Sequence, residues 1–241
     1  MIRIAKYLAH LGYGSRREIE DMVDAGKIKV NGEIIKDKGR KVEPGVDEVE
    51  VNGKLVKEDS ELVYFAVNKP VGVVSTTDDE AGRTAVVDLV DTKFRVYPVG
   101  RLDRDSSGLL ILTNDGELTH KLTHPKFHVV KRYKVCVMGE VNLDKIKKLG
   151  HGVRLSDGMT APCEVKLLKK MRLRSWLEFN LHEGRYRQIR RMCGRVGLEV
   201  VELIRMAFGE IELGDLASGK ARKLTEGEIQ ALRAQCSDIS V

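Results

Sequence analysis

Residues 99–113, VGRLDRDSSGLLILT, set charged and hydroxyl side chains directly against an apolar block. Arg101, Asp103, Arg104, Asp105, Ser106 and Ser107 fall within one short segment. A carboxylate flanked by arginines is kept ionised and oriented, so it is available at neutral pH as a nucleophile or a base. The commoner fate of such a cluster is a solvated turn in which Asp103 and Asp105 only cap and pair. The apolar block favours the first fate. Leu109-Leu110-Ile111-Leu112, bounded by Gly108 and by Thr113-Asn114-Asp115-Gly116, predicts a short buried strand. A rigid strand can hold chemistry at its end.

A second stretch, LHEGRYRQIRRMCGR over 181–195, carries five arginines between Gly184 and Arg195 and no acid. From Tyr186 on it predicts a helix that turns Ile189, Met192, Cys193 and Val196 to the core. Arg187, Arg190 and Arg191 then fan out from the other side. Cations this close repel unless anions or carboxylates neutralise them, which argues against a merely solvated face. Between the two stretches, Lys131-Arg132-Tyr133-Lys134-Val135 reads as a strand. A tyrosine among basic residues can stack on a base while its neighbours hold phosphates, or can simply pack as strand tyrosines do. His120, His124 and His128 recur at four-residue spacing, but Pro125 breaks the helix before the third. No cysteine or carboxylate cluster completes a ligand set, so no metal is expected.

These residues need a framework, and local patterns along the chain predict its elements. Ile4, Leu8 and Leu11 share one face of a short helix over 2–12, closed by Gly12 and Gly14. Ser15-Arg16-Arg17-Glu18 is a capping box for a second helix that buries Ile19, Met22 and Val23 and stops at Gly26. Two alternating runs around Asn31-Gly32 then predict a hairpin. Residues 1–41 hold ten Lys and Arg against six Asp and Glu, whereas 42–60 hold two against six, so charge is sorted along the chain. Arg16 and Arg17 at a helix start, with Lys27 and Lys29 nearby, suit phosphate contacts as well as they suit a solvated basic face. Polar residues 52–62, with Gly53 and Ser60, read as the end of a small domain and a linker, giving domains over 1–60 and 61–241. A strand over 63–67 leads into the Lys69-Pro70-Val71-Gly72 turn, after which Val73-Val74 resumes a strand. A polar loop, a helical turn over 84–90 and a strand at VGRLD come next. A helix starts near Gly116, and a stretch over 139–175 completes the sheet. Val200–Leu203, Ile204-Arg205 and Phe208-Gly209 form a closing strand pair, and Thr225 caps a terminal helix with Glu228 three residues on.

Composition narrows the class. The 241 residues are 42% hydrophobic, enough for a real core, and the net charge of +6 makes a polyanionic partner plausible. The four cysteines, Cys136, Cys163, Cys193 and Cys236, are scattered, which points to reduced thiols and a cytoplasmic protein. No apolar run approaches the roughly 18 residues of a membrane span. Walker and dinucleotide-binding glycine signatures are absent, and no cofactor is expected.

Four motifs resemble one family. Gly100-Arg101-Leu102-Asp103, Ser106 and Gly108-Leu109-Leu110 resemble the active-site motif of pseudouridine synthases of the RsuA/RluB class, which isomerise uridines in ribosomal RNA. Lys69-Pro70-Val71-Gly72, the Lys131–Val135 strand and Glu183-Gly184-Arg185 through Met192 match the same family in the same order. The first 60 residues resemble an S4 RNA-binding domain through the Ser15-Arg16-Arg17-Glu18 start and the Asn31-Gly32 hairpin. The resemblance implies an α+β protein, an S4 domain followed by a catalytic domain on a mixed, mainly antiparallel sheet. It implies a cleft where Asp103 is the essential carboxylate, Tyr133 lies beside the target base and Arg190 pairs with Asp103. Leu203 packs beside the tyrosine, and Arg101 fills the space that the base vacates. Arg185, Arg187 and Arg191 contact the RNA, as do Arg16, Arg17, Lys27 and Lys29 in the S4 domain. Ser106 stands where threonine is usual, and Asp105 adds a negative charge beside the site. The expected partner is ribosomal RNA, naked or in a pre-ribosomal particle, met by a monomer, and 23S rRNA of the large subunit is the expected target. The alternatives are 16S rRNA, a catalytically silent ribosome assembly factor and, far behind, a glycoside hydrolase needing a second carboxylate.

Overall fold

The computed structural model describes residues 1–57, 61–79 and 81–236, and its backbone divides into two compact units. The first is Met1–Val63 with 93–95 and 114–116; the second is the remainder. The change of unit thus falls between Val63 and Tyr64, while residues 58–60, Ser60 of the expected linker among them, lie outside the described residues.

In the first unit, β1 (Ile2–Arg3), α1 (Ile4–His10) and α2 (Arg16–Asp24) precede β2 (Ile28–Val30), β3 (Glu33–Ile34), β4 (Lys41–Val42), β5 (Val49–Val51) and β6 (Lys54–Leu55). The expected first helix begins only at Ile4, because Ile2 and Arg3 pair with Val42 and Lys41. Ser15 and Glu18 form the reciprocal capping box on α2. At its other end, Gly26 at φ +67° lets the Gly26 and Lys27 amides reach the Val23 and Met22 carbonyls, which satisfies the last turn. Asn31 and Gly32, at φ +52° and +82°, make the two-residue turn joining β2 to β3. Ile4, Leu8, Ile19, Val23, Ile28 and Val42 fill one core. Part of the expected linker is strand: Asn52-Gly53 turns β5 into β6, so the small sheet runs to Leu55. Arg16, Arg17 and Lys27 are exposed and Lys29 is half-buried, pointing away from the core that takes Ile28 and Val30.

The second unit is built on β7 (Tyr64–Lys69), β8 (Tyr97–Pro98), β9 (Ser107–Thr113), α3 (Gly116–Thr123), β10 (Lys131–Met138), α4 (Leu143–His151), β11 (Arg154–Leu155), β12 (Gly158–Met159), β13 (Glu164–Lys170), β14 (Arg174–Leu181), α5 (Gln188–Arg195), β15 (Glu199–Phe208), β16 (Ile211–Glu212), β17 (Ala221–Lys223) and α6 (Glu226–Ala234). Its large sheet runs β13-β14-β10-β15-β9-β7-β17, with β16 on β15 and β8 on β9. The pairing of β15 with β9 is parallel and the rest are antiparallel, so the sheet is mixed as expected. β9 is the apolar block read from the sequence, with Leu109, Leu110, Ile111 and Leu112 all buried.

Four expectations for this unit change. The expected closing pair over 200–209 is one continuous strand, β15, whose hairpin partner β16 begins at Ile211. VGRLD is loop beyond Pro98, because Gly100 at φ +73° turns the chain out of the sheet. Val73-Val74 is no strand; Val74 makes a single bridge to Ala85. Helix α5 starts at Gln188, not Tyr186, because Arg187 takes a left-handed conformation at φ +47°.

The parallel seam is tight. A β-carbon at Gly108, whose φ is +103°, would lie 2.6 Å from the Arg205 nitrogen and closer still to its carbonyl oxygen. Gly108→Ala is therefore expected to cost about 3 kcal/mol or more, through strain at a left-handed φ and a clash with backbone that cannot yield. Urea unfolding would check it; a loss under about 1 kcal/mol would mean the strands part readily. At the other end of the unit, Thr225 and Glu228 cap α6 reciprocally, and Arg222 holds Glu228 at 2.6 and 2.8 Å. The Arg222 hydrogen bonds carry the Glu228 carboxyl down from 4.5 to about 2. A carboxyl lowered on folding stabilises above its unfolded value and loses that contribution as pH falls through its folded one. The contribution is thus complete above pH 4.5 and fades towards pH 2. Glu228→Gln is expected to cost about 1–2 kcal/mol at pH 7 and to flatten the acid limb of stability in that window.

Candidate active site

The cleft that gathers the sequence-predicted residues lies wholly within the second unit, with a volume of about 580 Å³. Asp103, Tyr133 and Arg190 all line it, with Arg101, Arg185, Arg187 and Leu203. Arg191 does not. Its two terminal nitrogens donate to the Asp157 carboxylate in the β11–β12 turn at 3.0 and 2.9 Å. Its guanidinium is held by that carboxylate outside the cleft.

Asp103 sits on the loop between β8 and β9, and its main chain is gripped on both sides. The Ser75 hydroxyl donates to the Leu102 carbonyl at 2.7 Å and accepts from the Leu102 amide at 3.1 Å. On the far side, the Gly72 amide donates to the Arg104 carbonyl at 2.8 Å. A turn closes Asp103 onto Ser106, whose amide donates to the Asp103 carbonyl. Gly72 and Ser75 belong to the segment that Lys69 organises. The Lys69 ammonium is fully buried and donates to the Pro70 and Val73 carbonyls at 2.9 and 2.8 Å, bracing the turn from inside. Burial pushes Lys69 down to about 8, against the pull of Asp103 and Asp105, which favour its charge. The Lys-Pro-x-Gly stretch is thus a support for the loop that carries Asp103. Ser75, read as part of a polar loop, carried no signal in the sequence that could have singled it out.

The arginines are ordered by carboxylates. Arg187 grips Asp105 with two nitrogens at 3.0 and 2.8 Å, and its Nη1 stands 3.8 Å from an Asp103 oxygen. Arg190 donates to the Asp105 carbonyl at 2.8 Å and the Val200 carbonyl at 3.1 Å, with its Nε 3.3 Å from the Asp105 carboxylate. The expected Asp103–Arg190 pair is therefore not formed. Asp105, the extra acid, takes Arg190, and the cation beside Asp103 is Arg187. The left-handed backbone at Arg187 is what differs from a helix begun at Tyr186, and Arg187 occupies the N-cap position of α5 without a side-chain capping bond. The hydrogen bonds from Arg187 hold the Asp105 carboxyl below its usual range, and Arg190 adds to this. Arg185 is paired with Glu183 and donates to the Asp157 and Met159 carbonyls, and Arg195 donates to the Arg154 carbonyl. Carboxylates thus neutralise part of a stripe that the sequence presents as bare, and carbonyls accept hydrogen bonds from more of it.

Across the cleft, Tyr133 lies on β10 opposite Arg205 on β15 and Phe179 on β14. Val135, on the same face, is opposite Leu203, and both Leu203 and Tyr133 join the core formed by Phe179, Ile189 and Met192. His124 and His182 also line the cleft, while His120 stays on α3 and His128 is left-handed beyond Pro125. Among the described residues no group of three or more His, Cys, Asp or Glu is arranged to hold a metal ion. Among them, too, no helix is long and apolar enough to cross a membrane.

Comparison with known proteins agrees with this arrangement. Residues 63–194 match the RNA pseudouridylate synthase family, and residues 2–48 match the S4 domain. The chain is 45% identical to the ribosomal large subunit pseudouridine synthase B of Bacillus subtilis over 97% of its own length and 96% of that protein. It is 39% identical to the dual-specificity RNA pseudouridine synthase RluF of Escherichia coli, over 95% of this chain and 77% of that one. A crystal structure of a pseudouridylate synthase superposes with a TM-score of 0.70 at 30% identity, covering 96% of this chain and all of the other. The chain, with its S4 domain and its carboxylate-bearing cleft, belongs to the RNA pseudouridylate synthase family.

Proposed function

We propose that this chain converts one uridine of large-subunit (23S) ribosomal RNA to pseudouridine, with Asp103 as the carboxylate that acts at the sugar. The observation that carries the reading is the double grip on Leu102 and Arg104, which fixes Asp103 at the edge of a cleft with an aromatic on the opposite wall. The likeness along nearly the whole chain to a Bacillus large-subunit enzyme supports the choice of RNA. In the same reading the S4 domain spans 1–60 and the catalytic domain 61–241. The chain works as a cytoplasmic monomer without a cofactor, on rRNA either naked or in an assembling particle.

The isomerisation breaks the N1–C1′ bond, turns the uracil and joins C5 to C1′; the C5 proton leaves and N1 ends protonated. No atom is gained or lost overall. Asp103 meets C1′ or a sugar proton, with Arg187 at 3.8 Å as its nearest cation. The target must first leave its stack, at a cost of a few kcal/mol. Tyr133 receives the uracil face, and Leu203 packs behind it. Arg101, exposed at the cleft, takes the space left in the RNA. Arg185 and Arg187 line the path of the strand. Arg190 serves this arrangement through Asp105, and Arg16, Arg17, Lys27 and Lys29 add phosphate contacts from the S4 domain.

Pseudouridine mapping of rRNA in cells lacking the protein tests this. One large-subunit site is expected to disappear and to return with the wild-type chain but not with Asp103→Asn, whose loss in rate should be about 10⁴-fold or more. Disappearance of a small-subunit site would overturn the choice of RNA. No change at any site, with rRNA binding intact, would make the chain an assembly factor.

A further inference from the structure

One group of charges in the cleft has no role in the isomerisation. Arg205 is 2% exposed, yet it has one hydrogen-bond partner only among the described residues, the Leu109 carbonyl, to which its Nε donates at 2.6 Å. Its Nη2 is buried with no hydrogen-bond partner. Lys131, half-buried, donates to the Val129 carbonyl at 3.0 Å. Both cations stand over the Phe208 ring, the Arg205 guanidinium 5.4 Å and the Lys131 ammonium 5.7 Å from its centroid. All three residues line the cleft.

The backbone brings them together by a local irregularity. Arg205 and Phe208 are three residues apart on β15, so strict alternation would send them to opposite faces. A register shift between Arg132 and Tyr133 leaves Lys131 opposite Phe208 and Tyr133 opposite Arg205, which puts all four on one face. Among the described residues, no carboxylate pairs with either cation. Burial and the Arg205 charge together push Lys131 down to about 8, so an ammonium is held here at a cost.

A buried guanidinium nitrogen without an acceptor, beside a second unneutralised cation, lacks an anion. Guanidinium and ammonium groups donate only, so they cannot satisfy a uracil N3–H, and a neutral carbonyl would leave two buried charges uncompensated. Resting on the RNA-modifying reading, we propose that Lys131 and Arg205, backed by Phe208, form a subsite for one phosphodiester adjoining the target nucleotide. An arginine fork and a point-charge lysine suit the two non-bridging oxygens. The subsite sits next to Tyr133, so gripping that phosphate would also fix where the extruded base enters.

The test is a cycle that pairs a protein change with an RNA change. The RNA is a large-subunit rRNA fragment selected by its binding to the chain, made either natural or with a neutral methylphosphonate at the 5′ or the 3′ linkage of each of its uridines in turn. Binding is followed by fluorescence anisotropy, with circular dichroism confirming that each variant is folded. Lys131→Met is expected to raise Kd about tenfold and to lower the dependence of log Kd on log salt by about one. At one uridine, one of the two neutral linkages should cost the wild type about tenfold and cost Lys131→Met nothing further, and Lys131→Arg should restore the sensitivity. Wild-type affinity in Lys131→Met, or penalties that multiply at both linkages of every uridine, would overturn the subsite. Binding is read apart from turnover. A chain that shows the linkage effect but forms no pseudouridine would overturn the functional reading and leave the subsite standing.

Discussion

Everything at the site depends on how closely β9 and β15 approach at Gly108 and Arg205. The two strands run parallel there over only two residue pairs, Ile204 with Ser107 and Arg205 with Gly108. The contact admits no side chain on β9 at that point, so a glycine at φ +103° is the residue that fits. This short seam joins two otherwise antiparallel halves of the sheet. On one side stands the loop bearing Asp103; on the other stand the strands bearing Tyr133, Leu203 and Arg205. The seam sets the width of the cleft.

A carboxylate on a loop can be held as firmly as one on a strand, and at Asp103 two kinds of contact achieve that. Hydrogen bonds from Ser75 and Gly72 fix the main chain on either side of Asp103, and buried Lys69 braces the turn that supplies them. Ion pairs then order the cations. Asp105 takes both Arg187 and Arg190, leaving Arg187 near enough to Asp103 to act on its charge without closing over it. In the proposed function, a tight Arg–Asp103 fork would satisfy the carboxylate that has to react. Giving the fork to Asp105 keeps Asp103 half-exposed to the cleft.

Local signals were legible in the chain and distant ones were not. The capping boxes at Ser15 and Thr225, the Asn31-Gly32 hairpin and the buried 109–112 strand each arise from residues within a few positions of one another. Asp103, Tyr133 and Arg190 stood out by residue type and family likeness, and the fold brings all three to the cleft. Pairings that depend on tertiary approach were not legible. Arg190 meets Asp105 because α5 starts after a left-handed Arg187, which periodicity cannot show. Arg191 is claimed by Asp157, 34 residues away on a short hairpin whose strands left no clear pattern. Ser75 is an ordinary serine in a polar loop, and Arg205 an ordinary arginine at a strand end, until the fold surrounds them.

In the proposed function Asp103 is poised indirectly, through a unit made of Asp105, Arg187 and Arg190. Steady-state kinetics on Asp105→Asn, Arg190→Gln and the double variant read that coupling. If the three residues act as one, each single change lowers kcat by about 10–100-fold and the double variant is no worse than the slower single. If the losses in the double variant multiply, the two residues serve Asp103 independently, and there is no shared anchor.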